Sequence, residues 1–393
     1  MSDDEVMDAE LIEDGLLPAI PEDRAPAVPQ TEEDPDAWLP PEAEEDVRAG
    51  IPKDTSRAYE GDMERFAEWC QTVGRRVMPA APQTVTAYLS YLKRTPRERT
   101  GKPYGPATMD RVIASIRSSH RAAGFKPPDT MGARKVVVGY REELALAKDS
   151  AAVPKKAAPA DRTVLREALA HLDRTALVGK RDAALMLLGH AIASRGSELA
   201  PLDWPASFTD LPGGGFTVRV YRKKRKKWQN VEVVPDPDRD LCTVTAVRDL
   251  AEALAHEGHA EGPLFMRIDQ WGYMGADMRR DGKPIGDPSG RISINGASDI
   301  VSRSIQRTGM PGKWTSHSLR RGFVKSARDA KADIVDIGRH GGWDDRSKAL
   351  IGYIDEEDSR GERNPLAKIG AAAAEQSGEL MEAASFVEQG PHD

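Results

Sequence analysis

Thr315-Ser-His317-Ser-Leu-Arg320-Arg-Gly322 is followed along the chain by Gly341-Gly342-Trp343 and then by Tyr353. No carboxylate or cysteine cluster accompanies the histidine, which argues against a metal site. Arginine can hold two phosphate oxygens with parallel hydrogen bonds, and histidine and tryptophan can donate to the same group. Because tyrosine can form a covalent intermediate, these residues predict a tyrosine that attacks a DNA phosphodiester while positive groups stabilise the transition state.

The composition of the chain is typical of a globular protein. It has 393 residues, 39% hydrophobic and 30% charged, which is enough for two or three domains with buried cores. Cys70 and Cys242 lie far apart and predict neither a disulfide framework nor a zinc site. The sequence contains no apolar run of membrane-spanning length, and its acidic N-terminus is unlike a signal peptide. We therefore expect a cytoplasmic protein that does not contact membranes and lies on the nucleoid when bound to DNA.

The net charge of −7 is distributed unevenly. Residues 1–50 carry 17 acidic residues and 2 arginines, a net charge of −15, so the rest of the chain carries +8. A basic folded part is typical of proteins that bind nucleic acid. The acidic segment is either a solubilising tail or a competitor with DNA for the basic face, and its composition favours the solubilising tail.

The sequence predicts a mainly α-helical fold with a small antiparallel β-sheet. Residues 1–50 are expected to be disordered. Apolar residues recur at helical spacing over 51–148, which predicts a helical domain whose Arg117 and Arg121 contact DNA phosphates. Residues 149–162, rich in Ala, Pro and Lys, are expected to be an extended linker in which Lys155 and Lys156 follow the phosphate backbone. A second domain is predicted over 163–370, followed by a C-terminal tail over 371–393.

A dense basic cluster lies between the predicted strands 216–221 and 231–234. Like charges at the tip of a hairpin repel one another unless an anion neutralises them, so we predict that the cluster faces DNA. Its members are Arg222, Lys223, Lys224, Arg225, Lys226 and Lys227.

An arginine and an acid stand three residues apart at a predicted helix start, in Ser194-Arg195-Gly-Ser-Glu198. Side chains at this spacing can meet on a helix, and one interpretation is that Glu198 holds Arg195 in place. The spacing by itself favours the other interpretation, an ordinary surface ion pair.

The order Arg-x-x-Glu, basic β-hairpin, His-x-x-Arg, Gly-Gly-Trp and Tyr resembles the tyrosine site-specific recombinases, or phage-type integrases, and among them the Cre-like members. The resemblance spans residues 52–370. It implies a helical, SAM-like core-binding domain followed by the α+β catalytic domain of this family. It also implies an enzyme that breaks and rejoins DNA by transesterification and needs no metal, cofactor or ATP.

The same resemblance implies a role for each residue of the site. Tyr353 is the nucleophile, and its attack leaves a 3′-phosphotyrosyl enzyme and a free 5′-hydroxyl. Arg195 and Arg320 bind the scissile phosphate. His317 helps to position the phosphate and to move a proton. Trp343 donates a hydrogen bond to a phosphate oxygen.

The general acid implied for the leaving 5′-oxygen is a hairpin lysine. The register Val-x-Val-x-Arg-x-Lys favours Lys224, with Lys223 and Lys226 as alternatives. Glu198 matches the acidic residue that supports the site in this family. Ten positions separate Trp343 from Tyr353, one more than the family usually has, which implies an insertion within 344–347. Alternatively, His340 takes the place of the phosphate donor.

The resemblance further implies an assembly on double-stranded DNA with an inverted-repeat site. Two protomers would bind each site and two dimers would form a tetramer in the synapse, with residues 364–369 docking into a neighbour. Other readings of the sequence are a type IB topoisomerase, a telomere resolvase, a DNA-binding protein with a decayed active site, and a metal-dependent nuclease that uses His340.

Overall fold

The computed structural model describes residues 40–50, 53–98, 100–151, 156–269, 271–275, 278–344, 347–348 and 350–353. The chain forms two compact units, which divide between Pro154 and Lys155. This division lies within the segment for which the sequence predicts a linker.

The described part of the first unit is helical. Its helices are α1 (Pro41–Gly50), α2 (Lys53–Thr72), α3 (Pro82–Arg94), α4 (Pro106–Ala122) and α5 (Met131–Leu146). Proline begins α3 and α4, where its missing N–H costs no helical hydrogen bond. Helices α2, α3, α4 and α5 share one apolar core, which includes the buried residues Phe66, Leu89, Ile116 and Val137.

Helix α1 corrects part of the prediction for residues 1–50, because disorder was expected over its whole length. Pro41 occupies the first helical position. The acidic residues that follow it interact favourably with the positive end of the helix dipole. Residues 1–39, which carry most of the acidic charge, lie outside the described residues.

The described part of the second unit combines helices with short antiparallel strands. Its helices are α6 (Arg162–Ala170), α7 (Leu177–Ala191), α8 (Gly196–Leu199), α9 (Thr243–His256), α10 (Ile294–Gln306), α11 (Ser316–Asp329) and α12 (Ile334–Gly341). Its strands are β1 (Asp203–Trp204), β2 (Phe208–Asp210), β3 (Phe216–Arg222), β4 (Lys227–Val233), β5 (Gly262–Pro263), β6 (Arg279–Arg280) and β7 (Lys283–Pro284). This mainly helical architecture with small antiparallel sheets confirms the predicted fold class.

The β-hairpin of the second unit is formed by β3 and β4, with β2 on the other side of β3. Arg222 lies opposite Lys227 at its end, and residues 223–226 make the turn. Because side chains alternate across a strand, Phe216, Val218 and Val220 all face the core. Arg222 is next in this series and is also buried.

Helix α7 lies at the centre of the main core of the second unit, and its residues 183–188 are all buried. A smaller core beside it contains Ala193, Val324, Ile337, Trp343 and Leu350, with the half-buried Tyr353 packed against it. The predicted nucleophile is therefore held against α11 and α12 by apolar contacts.

The second half of the predicted linker is bound to the second unit. We call residues 156–161 the strap. The backbone N–H of Ala158 donates to the carbonyl of Lys313 at 2.8 Å, and that of Ala160 donates to Ser318 at 2.9 Å. The chain passes so close to α11 that a Cβ on Gly322 would lie 1.9 Å from the Ala160 carbonyl oxygen. The strap is thus docked along its length, which explains the glycine after Arg320-Arg321.

None of the described helices combines the length and the apolar character needed to cross a membrane.

Candidate active site

Helix α8 brings Arg195 and Glu198 together as the sequence predicts. The Nη1 atom of Arg195 lies 2.6 Å from the Glu198 carboxylate, whose other oxygen accepts from the Arg195 backbone N–H at 3.2 Å. The Glu198 side chain is fully buried and Arg195 is 18% exposed. This is therefore a buried carboxylate that holds a partly exposed cation, and the alternative of a surface pair is wrong.

Glu198 also forms an ion pair with a second arginine, Arg222, which is buried. Arg222 Nη1 lies 2.9 Å from Glu198 Oε2. Burial alone would raise the pKa of Glu198, but the charges of Arg195 and Arg222 outweigh it and hold this pKa below its ordinary value. Glu198 is therefore charged at neutral pH and sits between two guanidinium groups.

The placement of Arg222 corrects the prediction that it contacts DNA. It is 1% exposed, and its guanidinium donates to Gln229 and to the backbone carbonyls of Ile192 and His340 as well as to Glu198. Sequence reasoning counted it with the basic cluster, although its alternation with Val218 and Val220 was the available sign that it faces inward.

The lysines of the hairpin turn outward. Lys223, Lys224, Lys226 and Lys227 are exposed. Arg225 is exposed as well, but its Nη1 donates to the Trp343 carbonyl at 2.9 Å and its Nη2 forms an ion pair with Asp344. Both arginines of the basic cluster thus bind the protein itself, Arg222 from a buried position and Arg225 from an exposed one.

Arg320 lies in α11 beneath the site and is 1% exposed. Its Nη1 donates to the backbone carbonyls of Ala193 and Gly341, the second at 2.8 Å. Its Nε and Nη2 have no hydrogen-bond partner among the described residues. Burial and the nearby charge of Arg195 lower the pKa of Arg320. A buried guanidinium with two unused donors is suited to binding an anion.

His317 occupies the first turn of α11, next to the cap formed by Thr315. The side chain reaches solvent. Partial loss of hydration lowers the pKa of His317, and three nearby cations lower it further, Arg195, Arg320 and Lys224. Lys224 is one of the three candidate lysines of the hairpin. The imidazole is therefore neutral at pH 7 before any anion binds.

Trp343 forms the wall of the site beside Arg320. Its ring centroid lies 3.5 Å from Arg320 Cζ and 6.1 Å from the Tyr353 ring. Gly341 leaves room for this indole, because a Cβ there would lie 1.8 Å from a ring atom of Trp343. Trp343 thus stacks on Arg320, and its donation to a phosphate oxygen stays a prediction.

His340 has a different environment from that expected of a phosphate donor. Its Nε2 donates to the Ala191 carbonyl at 2.7 Å, and its ring stacks on Phe323 with centroids 4.8 Å apart. Burial lowers the pKa of His340. His340 therefore links α12 to α7 through this hydrogen bond. This contact counts against His340 as the phosphate donor in place of Trp343.

The remaining predicted residues lie elsewhere or cannot be placed. Arg117 is half-buried and Arg121 is exposed on α4 in the first unit, and Lys156 lies in the strap. Lys155, residues 345–346 of the predicted insertion and the predicted docking segment 364–369 lie outside the described residues.

Two known recombinases are similar to this chain in sequence. No protein-family profile matches the chain. It is 26% identical over 293 residues to an integrase/recombinase XerD homolog of Selenomonas ruminantium, covering 72% of this chain and 76% of that protein. It is 23% identical over 307 residues to the Cre recombinase of Escherichia phage P1, covering 75% of this chain and 81% of that protein.

The fold is also shared with a solved structure, that of a lambda integrase dimer bound to a COC′ core site. The TM-score is 0.50 at 14% identity, and the alignment covers 81% of this chain and 95% of that one. At this identity the likeness concerns the fold alone. In sequence and in fold, the chain is therefore similar to the tyrosine site-specific recombinases, enzymes that cleave and rejoin DNA strands.

Proposed function

We propose that this chain is a tyrosine recombinase that cleaves and rejoins DNA through a covalent 3′-phosphotyrosyl intermediate. The Tyr353 hydroxyl oxygen attacks the scissile phosphorus, a Tyr–phosphate bond forms, and the bond from phosphorus to the 5′-oxygen breaks. The phosphotyrosyl bond conserves the energy of the phosphodiester, so a 5′-hydroxyl from a second strand can reverse the attack without ATP.

The observation that carries this proposal is the state of Arg320. Two of its guanidinium nitrogens are buried and have no partner among the described residues. Leaving buried donors unpaired is costly, so sites of this kind are usually completed by a ligand. A phosphate that accepts from Arg320 and from the neighbouring Arg195 would satisfy them and would place its negative charge where the transition state develops.

The proton transfers are assigned to His317 and Lys224. A neutral imidazole at pH 7 can accept a proton or donate a hydrogen bond to the phosphate. The charge of Lys224 acts on His317, which supports Lys224 as the group that protonates the leaving 5′-oxygen.

The proposed partner is double-stranded DNA with an inverted-repeat recombination site. One protomer would bind each half-site, and two such dimers would meet in a tetrameric synapse. The lambda integrase structure of the same fold is a dimer on a core site, which supports self-association on DNA. In the first unit, Arg117 lines an open groove with Lys126, Arg134 and Lys135, a surface whose charge suits a phosphate backbone.

A covalent-adduct assay tests the mechanism. The protein would be incubated, with EDTA present, with nicked duplexes tiled from the DNA that flanks its own gene. We expect a denaturation-resistant protein–DNA band that is lost in Tyr353→Phe. The matched control is Tyr273→Phe, which removes the same hydroxyl from a tyrosine that is 67% exposed and outside the site. An adduct that survives in Tyr353→Phe would show that the nucleophile is misassigned.

A further inference from the structure

The tip of the β-hairpin is attached to the segment that leads to the nucleophile. Arg225 ends the short turn of residues 223–225, and its Nη1 donates to the Trp343 carbonyl at 2.9 Å. Its Nη2 forms an ion pair with Asp344, the next residue along the chain. Lys224, the proposed general acid, immediately precedes Arg225.

The strand residues that flank the turn are attached to the same region. Arg222 donates to the His340 carbonyl at 3.1 Å, and the Gln229 amide donates to the carbonyls of Arg339 and His340 at 2.7 and 3.2 Å. Gly342 makes this packing possible, because a Cβ there would lie 2.7 Å from the Gln229 side chain. The hairpin is therefore bound to the end of α12 both before and after Lys224.

The contacts of Arg225 matter because the turn is crowded with like charges. The exposed Lys223, Lys224, Lys226 and Lys227 repel one another, which favours many orientations of the turn over one. A bond from Arg225 to a backbone carbonyl gives the turn a fixed reference point next to Lys224. Misplacing a catalytic group by about 1 Å can lower the rate about 100-fold.

We infer that Arg225 is a positioning residue that holds Lys224 at the leaving 5′-oxygen by binding the Trp343 carbonyl and the Asp344 carboxylate. The inference rests on the proposed role of Lys224. It replaces the expectation that Arg225 contacts DNA. It also implies that the general acid and the tyrosine share one support, since Trp343 and Asp344 begin the segment that carries Tyr353.

The chemistry of the leaving group provides a selective test. With the natural substrate, Lys224 gives a proton to the 5′-oxygen as the P–O bond breaks. When sulfur replaces this bridging oxygen, the leaving group departs as a thiolate, which is stable without a proton because thiols are far more acidic than alcohols. A defect in general-acid catalysis should therefore vanish with the sulfur substrate, whereas a defect in binding or in nucleophilic attack should remain.

The experiment compares single-turnover cleavage of matched oxygen and sulfur duplexes by saturating full-length protein. We expect Arg225→Gln to slow cleavage of the oxygen substrate about 10- to 100-fold and to cleave the sulfur substrate at close to the wild-type rate. Arg225→Lys keeps the charge but loses the forked geometry, so the oxygen-specific defect should persist. The matched control Lys227→Gln removes one charge from the same hairpin and should leave the oxygen-to-sulfur ratio unchanged.

Three outcomes would overturn the inference. Equal slowing of both substrates by Arg225→Gln would assign Arg225 to DNA binding or to Tyr353 instead. Full recovery by Arg225→Lys would mean that charge alone matters. A changed ratio in Lys227→Gln would show that any lost charge has this effect. The proposed mechanism is judged separately by Lys224→Ala, because a failure of sulfur to rescue that variant would reject Lys224 as the general acid whatever Arg225 does.

Discussion

Replacing Glu198 by glutamine tests the charge balance beneath the active site. The change keeps the shape of the side chain and removes its charge. Glu198 is fully buried and Arg222 is 1% exposed, so the variant leaves a buried guanidinium without its counter-charge. Removing one partner of a buried ion pair costs about 3–5 kcal/mol, and we expect Glu198→Gln to destabilise the second unit by an amount in this range.

A matched variant shows whether burial is the cause. Asp210→Asn removes the same kind of charge from a pair with Arg248 whose side chains are 79% and 45% exposed. Exposed pairs contribute about 0–1 kcal/mol. Five of the seven tryptophans lie in the second unit, so urea unfolding followed by tryptophan fluorescence reports mainly on that unit. We expect a much lower midpoint for Glu198→Gln and little change for Asp210→Asn.

The pH dependence gives a second check of the same reasoning. The pKa of Glu198 is lower in the folded protein than in the unfolded chain, where it is about 4.3. Its stabilisation is therefore fully present above that value and is lost as the pH falls through the folded pKa. The difference in stability between wild type and Glu198→Gln should be largest at pH 7 and shrink below about pH 4. Equal costs for the two variants, or a difference that does not change with pH, would refute this account.

Three further predictions follow from the site. Gly322→Ala should destabilise the second unit by about 1–3 kcal/mol and speed hydrogen exchange in the strap, because its Cβ would meet a backbone carbonyl at 1.9 Å. The helical control Gly139→Ala has nothing within 4 Å of the added Cβ and should be slightly more stable. Equal effects of the two changes would contradict the close approach. The imidazole of His317 should titrate below its ordinary pKa in an NMR titration of the free protein, and Lys224→Ala should raise the midpoint; an unchanged midpoint would place Lys224 elsewhere. Arg320→Lys should lower the rate of covalent cleavage about 100- to 1,000-fold, because lysine cannot supply the two free donors.

Local patterns in the sequence were sufficient to predict much of the fold. The helical spacing of Phe66 and Ile116 and the alternation of Val218 and Val220 identified elements that the structure contains. The Arg195–Glu198 contact was also predictable, because three residues of helix bring the two side chains together. Patterns of this kind depend on chain geometry over a few residues, so they can be read without knowledge of the rest of the fold.

Composition alone did not reveal two features of the chain. Helix α1 lies in a segment whose acidic content suggested disorder, although a proline followed by acidic residues also favours a helix start. The strap is rich in Ala, Pro and Lys, which predicted an extended linker but not that it is bound to α11. The residue that allows this close approach is Gly322, which lies 162 positions after Ala160 in the sequence. Local sequence patterns could not connect two residues so far apart.

The sequence by itself determined which chemical groups the site contains, their order along the chain and the basic charge of the folded part. The tertiary structure alone decided how each cation is used. Lys224 faces outward while Arg222 and Arg225 bind the carbonyls of His340 and Trp343. Every residue has a backbone carbonyl, so the sequence does not indicate which carbonyl an arginine will bind. Only the packing of the hairpin against α12 determines that choice.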